Sequence, residues 1–229
     1  VSNLNRYATP AAFAGAAFTL AATVAWIASD TVPGLSEWSR TAKMTGSCGF
    51  LATALLAGAL KHRYGQIVLV GLILSWFGDL FLSFSGMFLQ GLVSFLLGHI
   101  AYSIAFATHA IGPKQSAITA AAMALPIGVV VAWLYPHLDD LRIPVLAYTA
   151  VISVMFVLSA GLLGMPGGRL ACFGALAFWM SDIFVARGAF VTQDVFNRIV
   201  GSPLYFGGQV LIALSVAYVA LPESVESRD

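Results

Sequence analysis

Apolar residues in this chain form unbroken runs of about twenty, divided by short polar stretches. A helix needs about 20 apolar residues to cross the hydrocarbon core of a bilayer, whereas a membrane β-barrel would show segments of about ten residues with alternating hydrophobicity. The pattern therefore predicts eight spans, near residues 10–29, 41–60, 66–84, 88–110, 116–134, 143–163, 169–190 and 201–221. Polar punctuation separates them, for example at Lys61 to Gly65, Gly112-Pro113-Lys114 and Met165-Pro166-Gly167-Gly168. The expected fold class is all-α: a polytopic integral membrane protein with eight transmembrane helices, forming one domain over residues 1–229 with no room for a separate soluble domain. The first run follows a single basic residue, Arg6, and is long enough to be a helix rather than a cleaved leader.

Composition agrees. Hydrophobic residues make up 59% of the chain and charged residues 9%, with a mean hydropathy of +0.89; soluble domains carry about 25% charged residues. The lipid bilayer is thus the expected partner of the outer surface. Net charge is +1 without a basic tract, so nucleic acid is not an expected partner. Cys48 and Cys172 fall near opposite ends of their helices, which argues against a disulfide. One set of loops and ends holds Arg6, Lys61, Arg63, Lys114, Arg169 and Arg228. The other holds Arg40, Lys43, Arg142, Arg187 and Arg198, diluted by Asp30, Glu37, Asp139, Asp140 and Asp194. The excess of positive charge places both termini in the cytoplasm, and the short loops suit a bacterial inner membrane.

Within the apolar runs two carboxylates stand out. Ser75-Trp76-Phe77-Gly78-Asp79 is echoed by Phe178-Trp179-Met180-Ser181-Asp182, at a constant offset of 103 residues (182 less 79, 179 less 76). The same offset pairs Gly71 with Gly174, Gly98 with Gly201 and Tyr102 with Tyr205. One reading is an internal duplication, with parallel four-helix units near residues 10–110 and 116–221; chance recurrence of common membrane residues is the other. Asp79 and Asp182 each lie 13 residues into their spans, counting from Gln66 and Arg169, or roughly 20 Å along a helix. Both are then expected at one depth, facing a shared cavity in the non-cytoplasmic half. An ionisable residue in a membrane span is a functional-site hypothesis by default.

Other residues admit both a functional and a structural reading. Ser75 shares the helical face of Asp79. His99, about 11 residues into an antiparallel span, is expected within a turn or two of the same depth, as a catalyst or as a buried structural histidine. Tyr205 and Gln209, four apart, can bind a ligand or link helices. Lys43, and Arg142 with Tyr148, can hold a phosphate or snorkel to headgroups. No GxSxG, HExxH, Walker or CxxC motif is present. The interior offers chiefly Asp79, Asp182 and His99, a better match to metal-free acid–base chemistry than to a metal centre, and no cofactor is expected.

The succession Lys43, Ser75-x-x-Gly78-Asp79, Phe95-x-x-Gly98-His99-x-x-Tyr102, Arg142-x-x-Val145-x-x-Tyr148, Gly174-Ala175-x-x-Phe178-x-x-Ser181-Asp182 and Tyr205-x-x-x-Gln209 resembles the YhhN family of membrane proteins, which includes lysoplasmalogenases. It covers about residues 40–215. The family usually has proline directly after the lysine, where this chain has Met44. The resemblance implies an eight-helix intramembrane hydrolase. Its substrate would be a lysophospholipid, a lysoplasmalogen bearing ethanolamine or choline, cleaved at the vinyl ether to a fatty aldehyde and the glycerophospho compound. Such hydrolysis needs an acid to protonate carbon and an anion to stabilise the oxocarbenium ion, roles that two carboxylates can divide. Asp79, Asp182 and His99 are then the expected catalytic residues. Ser75, Ser181, Tyr205 and Gln209 would orient substrate and water, and Lys43, Arg142 and Tyr148 would serve the headgroup. A proton-coupled transporter or lipid-binding carrier that uses the same aspartates, and a hydrolase of another lysolipid, are the alternatives.

Overall fold

The structure, a computed structural model, describes residues 9–219. They form eight α-helices and no strand: α1 (Pro10–Thr31), α2 (Ser39–Leu56), α3 (Arg63–Phe81), α4 (Phe88–His109), α5 (Pro113–Leu134), α6 (Arg142–Ala160), α7 (Gly168–Ala186) and α8 (Val195–Ser215). Arg6 and Arg228, used above to orient the chain, lie outside the described residues.

Helix ends follow local chemistry. Thr9 caps α1 by accepting from the Ala12 amide, with Pro10 at the first helical position, where its missing N–H costs nothing. Past the end of α2, Gly58 turns the chain at φ 91°, a conformation glycine adopts freely. His62 Nδ1 caps α3 by accepting from the Gly65 amide. The largest departure from the sequence reading is α8, expected from 201 but beginning at Val195. Asp194 is its N-cap, accepting from the Asn197 amide at 3.2 Å, and this side chain starts the helix within a stretch that its polarity marks as a loop. The helix ends at Ser215, with Val216 as its C-cap, short of the expected 221.

Successive helices pack as hairpins: α1 with α2, α3 with α4, α5 with α6 and α7 with α8. α8 also packs on α1 and α2, and α4 on α6, which puts α4 and α8 at the centre. α5 is peripheral, with Leu134 its single buried residue. Glycines let the backbones approach. A Cβ on Gly174 would lie 2.8 Å from the Gly208 carbonyl oxygen, and one on Gly208 2.8 Å from that of Gly174, the small-residue packing expected of membrane helices. On α3 the corresponding Gly71 instead receives the ring of Tyr102, and Gly98 lies against the Gly71 carbonyl. The two hairpins that carry the aspartates therefore meet at different points along their lengths.

Among the described residues six helical segments are long and apolar enough to cross a membrane: Pro10–Thr31, Arg63–Leu82, Phe88–His109, Pro113–His137, Asp139–Ala160 and Gly168–Val191. The chain is thus an integral membrane protein. α2 and α8 fall short in composition because they bury polar side chains, Lys43, Ser47 and Thr53 on one and Ser202, Gln209 and Ser215 on the other.

Gly174→Val places two methyl groups into the α7–α8 contact. The expected loss is about 1–3 kcal/mol, the usual range for overpacking, seen as a lower thermal midpoint in detergent. Gly207, with nothing within 4 Å of its Cβ position, is the control site, where Gly207→Ala leaves the midpoint unchanged or raises it.

Candidate active site

α3 ends at Phe81, so its last carbonyls lack intrahelical partners. The Asp79 carbonyl finds two, Lys43 Nζ at 3.0 Å and Ser83 Oγ at 2.7 Å. Lys43 comes from α2 and also pairs with Asp79 Oδ1 at 3.2 Å. The other carboxylate oxygen accepts from Ser47 Oγ at 2.7 Å and Tyr205 Oη at 2.6 Å. Lys43 and Ser47 are one turn apart on α2, and Tyr205 stands on α8. Three helices thus converge on Asp79, which is 2% exposed. Gln209, one turn below Tyr205, accepts from Tyr102 Oη at 2.8 Å and lies 3.4 Å from the Tyr205 hydroxyl.

The second cluster joins α4, α6 and α7. The Tyr148 hydroxyl donates to Asp182 Oδ2 and lies 2.8 Å from His99 Nε2. With its own proton directed to Asp182, it accepts from His99, which places the imidazole proton on Nε2. His99 Nε2 is itself 3.8 Å from Asp182 Oδ2. Ser181 Oγ donates to the Phe178 carbonyl at 2.7 Å and reaches Asp182 Oδ1 at 3.3 Å. Phe178 separates the two clusters, its ring centroid 4.6 Å from His99 and 5.1 Å from Tyr205.

Both aspartates line one cavity of about 1160 Å³. It opens among the ends of α1, α3, α5 and α7 and the starts of α2, α4, α6 and α8, and its deepest lining residues include Asp79, Phe95, Ile152, Trp179 and Tyr205. One wall is polar, with Glu37, Arg40, Lys43, Asn197 and Arg198. Phe88, Leu92, Leu134, Leu141, Val145 and Phe190 give the lining an apolar part. At the rim Arg187 makes a two-pronged pair with Asp194, at 2.9 and 2.8 Å, and donates to Asn197 Oδ1 at 2.6 Å. That guanidinium holds the Asp194 carboxyl below its usual range.

The expectations of one shared cavity and of His99 near an aspartate match this geometry. Asp79, Asp182, Lys43, Tyr148 and Tyr205 line the cavity, while His99, Ser181 and Gln209 stand behind it. Four placements differ from the sequence reading. Ser75 is fully buried and donates to the Gly71 carbonyl at 2.9 Å, back-bonding within its helix rather than reaching the cavity. Arg142 is exposed, stacks on Tyr135 with 4.9 Å to the ring centroid, and does not line the cavity. Lys43 spends two of its three N–H donors on Asp79, and Tyr148 is engaged by Asp182 and His99, so both are held at the aspartates rather than extended towards a headgroup. Ser47, Arg40 and Arg198 join the cavity or its aspartates without being site candidates from the sequence. Each shares a helical face with a recognised residue, Ser47 four after Lys43, Arg40 three before it and Arg198 seven before Tyr205, and that spacing was the available signal. Among the described residues no three His, Cys, Asp or Glu side chains group closely enough to hold a metal.

A helical membrane protein with two carboxylates at the base of a half-polar pocket is the class these observations establish. The YhhN family model matches residues 38–216, and the chain belongs to that family. It is 31% identical over 196 residues to lysoplasmalogenase TMEM86A of Bos taurus, covering 79% of this chain and 74% of that protein. It is 26% identical over 200 residues to lysoplasmalogenase TMEM86B of Homo sapiens, covering 87% and 83%. A lysoplasmalogenase of Mycobacterium tuberculosis is 30% identical over 176 residues, covering 71% and 66%. No solved structure matches significantly.

Breaking a buried pair by removing one partner costs about 3–5 kcal/mol. Lys43→Met alone is expected to destabilise by that order, and Asp79→Asn added to it to recover much of the loss. Unfolding of the two single variants and the double variant in detergent measures the coupling, and additive losses would show that the pair is not what holds these helices.

Proposed function

We propose that the chain is a lysoplasmalogenase, hydrolysing the vinyl ether of a lysoplasmalogen to a fatty aldehyde and a glycerophosphoalcohol. The observation that carries the reading is the pair of carboxylates where the polar and apolar walls of one pocket meet. The substrate has the same division, with its reacting bond between the hydrocarbon tail and the glycerol. The names of the similar proteins in mammals and mycobacteria support it.

Proton transfer goes to the alkenyl carbon distal to the oxygen, leaving an oxocarbenium ion. Water adds at the carbon attached to oxygen, the resulting hemiacetal loses the glycerol oxygen, and the proton is returned to the acid. We assign the acid to Asp182. It accepts from Tyr148 and Ser181 without a salt-bridge partner of the strength that Lys43 gives Asp79, and its side chain is 16% exposed. After transfer, its carboxylate lies beside the cation it has made. Tyr148 and His99 form the chain along which the proton is shuffled and the attacking water oriented. Asp79, neutralised by Lys43, fixes the Tyr205 hydroxyl at the pocket floor, with Gln209 supporting that tyrosine from behind.

Several finer assignments accompany this reading. We take α2 and α8 as spans as well, giving eight, since 18 and 21 residues make rods of about 27 and 31 Å. We take the chain as one domain, with the recurring aspartate motif as the remnant of a four-helix duplication. We keep the orientation in which the pocket faces away from the cytoplasm, since Asp30, Glu37, Asp139, Asp140 and Asp194 dilute Arg40, Lys43, Arg142, Arg187 and Arg198 at that end, whereas Lys61, Arg63, Lys114 and Arg169 stand undiluted at the other. A bacterial inner membrane suits this arrangement.

The test is aldehyde release from lysoplasmenyl-ethanolamine by purified protein, with the alkyl ether analogue as control. Asp182→Asn is expected to lower kcat by about 100-fold or more, the range for loss of a general acid. Tyr148→Phe should lower it less and shift its pH profile. Full activity in a folded Asp182→Asn variant would remove the assignment of the acid. No aldehyde from folded wild type, with Asp79-dependent flux in liposomes, would replace the enzyme by a carrier.

A further inference from the structure

The three arginines around the pocket entrance differ in what they already hold. Arg187 lies off the cavity wall and is spent on Asp194 and Asn197. Arg198 lines the cavity, 2.7 Å from Asp30 Oδ2, with its guanidinium 3.9 Å from the centroid of the Trp26 ring. Arg40 also lines the cavity, but its one hydrogen bond is from Nη2 to the Ser83 carbonyl at 3.1 Å, and its guanidinium lies over Phe84 at 4.4 Å. Among the described residues it pairs with no carboxylate. A guanidinium carries five N–H donors in a planar fork, so most of those of Arg40 remain free.

Position adds meaning to this. Arg40 precedes Lys43 by three residues on α2, which places it about 4.5 Å further along the axis towards the opening. Lys43 reaches down to Asp79 at the floor, so Arg40 stands roughly one turn outward from the reactive end, on the polar part of the lining. Arg198 stands seven residues, about two turns, before Tyr205 on α8, again on the outward side. In a lysophospholipid the three-carbon glycerol separates the tail linkage from the phosphate by on the order of 5 Å, given bonds near 1.5 Å. A tail bond at the floor therefore brings the phosphate level with Arg40, while Arg198 starts about a turn further out and reaches it by the length of its side chain.

We infer that Arg40 and Arg198, the latter stacked on Trp26, form from the lining of one cavity a subsite for the phosphodiester of the lysolipid headgroup. It makes the pocket selective for phosphate-bearing lysolipids over neutral monoalkenylglycerols. The inference rests on the reading of the pocket as a lysolipid site, and it moves the phosphate contact from Lys43 and Arg142 to residues that face the cavity with donors to spare. Arginine suits the task because its fork matches two phosphate oxygens at once. Asp30 gives Arg198 a partner that a phosphate can displace or share. Glu37, also on the polar wall, is placed to meet the headgroup ammonium.

Binding tests this separately from turnover. The full chain in maltoside micelles is titrated calorimetrically with 1-O-alkyl-glycerophosphoethanolamine and with 1-O-alkylglycerol of the same chain length, neither of which has a vinyl ether to cleave. Wild type should bind the phosphate-bearing lipid more tightly. Arg40→Gln should weaken that lipid about tenfold or more, as for loss of a charged hydrogen bond, and leave the alkylglycerol unchanged. Arg40→Lys, which keeps charge without the fork, should fall between. The proposal is overturned if wild type shows no preference, or if Arg40→Gln weakens both lipids equally or neither. Displacement of the lipid by inorganic phosphate or glycerophosphate over the same concentration range would also overturn it, by assigning the arginines to a free anion. If Arg40→Gln does not fold, Arg198→Gln in the same titration decides by the same criteria. Aldehyde release is a separate readout, so its absence would sink the catalytic reading while the phosphate preference stood or fell by itself.

Discussion

A carboxylate taken out of water and into a bilayer-spanning bundle carries a penalty of several kcal/mol unless charge and hydrogen bonds compensate it. Asp79 is where this protein meets that constraint. Its compensation comes from two other helices: Lys43 and Ser47 from α2 and Tyr205 from α8, with the same ammonium also meeting the free Asp79 carbonyl at the end of α3. The ammonium thus serves the carboxylate and the negative end of the α3 dipole together. Because the partners come from α2 and α8 and the carboxylate from α3, the requirement to neutralise one side chain fixes the relative placement of three helices. Apolar packing in lipid cannot do this alone, since lipid tails solvate leucine as well as another helix does.

The same constraint explains the uneven character of the helices. α5, with a single buried residue, is nearly all apolar and faces outward. α2 and α8 are the least apolar because they carry the polar face of the pocket, and they are sheltered from lipid by their neighbours, α8 by α1, α2 and α7. The cavity lining then varies by helix: polar where α2 and the start of α8 line it, apolar where α4 and the end of α5 do, and mixed on α6, which adds Tyr148 and Thr149 to Val145 and Ile152. An amphiphile entering such a pocket is oriented before any chemistry starts. Orientation of this kind is a large part of what an active site contributes to rate.

How much of this is legible in the sequence depends on the range of the interaction. Segment lengths and the depth of Asp79 and Asp182 follow from helical rise alone, so the shared cavity could be anticipated. So could the pairing of Tyr205 with Gln209, which is a matter of i and i+4. The start of α8 could not, because the polar stretch from Thr192 to Arg198 reads as a loop until Asp194 is known to cap a helix while held by Arg187. Nor could the assignment of Lys43. A lysine near the end of a span can snorkel or meet a headgroup, and only the packing of α2 against α3 turns it inward. Ser75 errs in the opposite direction: its spacing from Asp79 is right for a shared face, but its hydroxyl is satisfied four residues back, within α3.

The two aspartates occupy related sequence motifs and one cavity, yet their surroundings are unequal, and acid–base division requires that inequality. Asp79 is saturated: a cation and two hydroxyls occupy its oxygens. Asp182 is met by Tyr148 and Ser181, and behind Tyr148 stands His99, whose Nδ1 is buried and bonds to no described residue. A group locked to a cation is poorly placed to exchange protons. One joined through a phenol to an imidazole with a free nitrogen has somewhere to take them from and return them to. The two aspartates therefore differ in what holds them: Asp79 ties together three helices and the Tyr205 hydroxyl, whereas Asp182 meets a phenol backed by an imidazole.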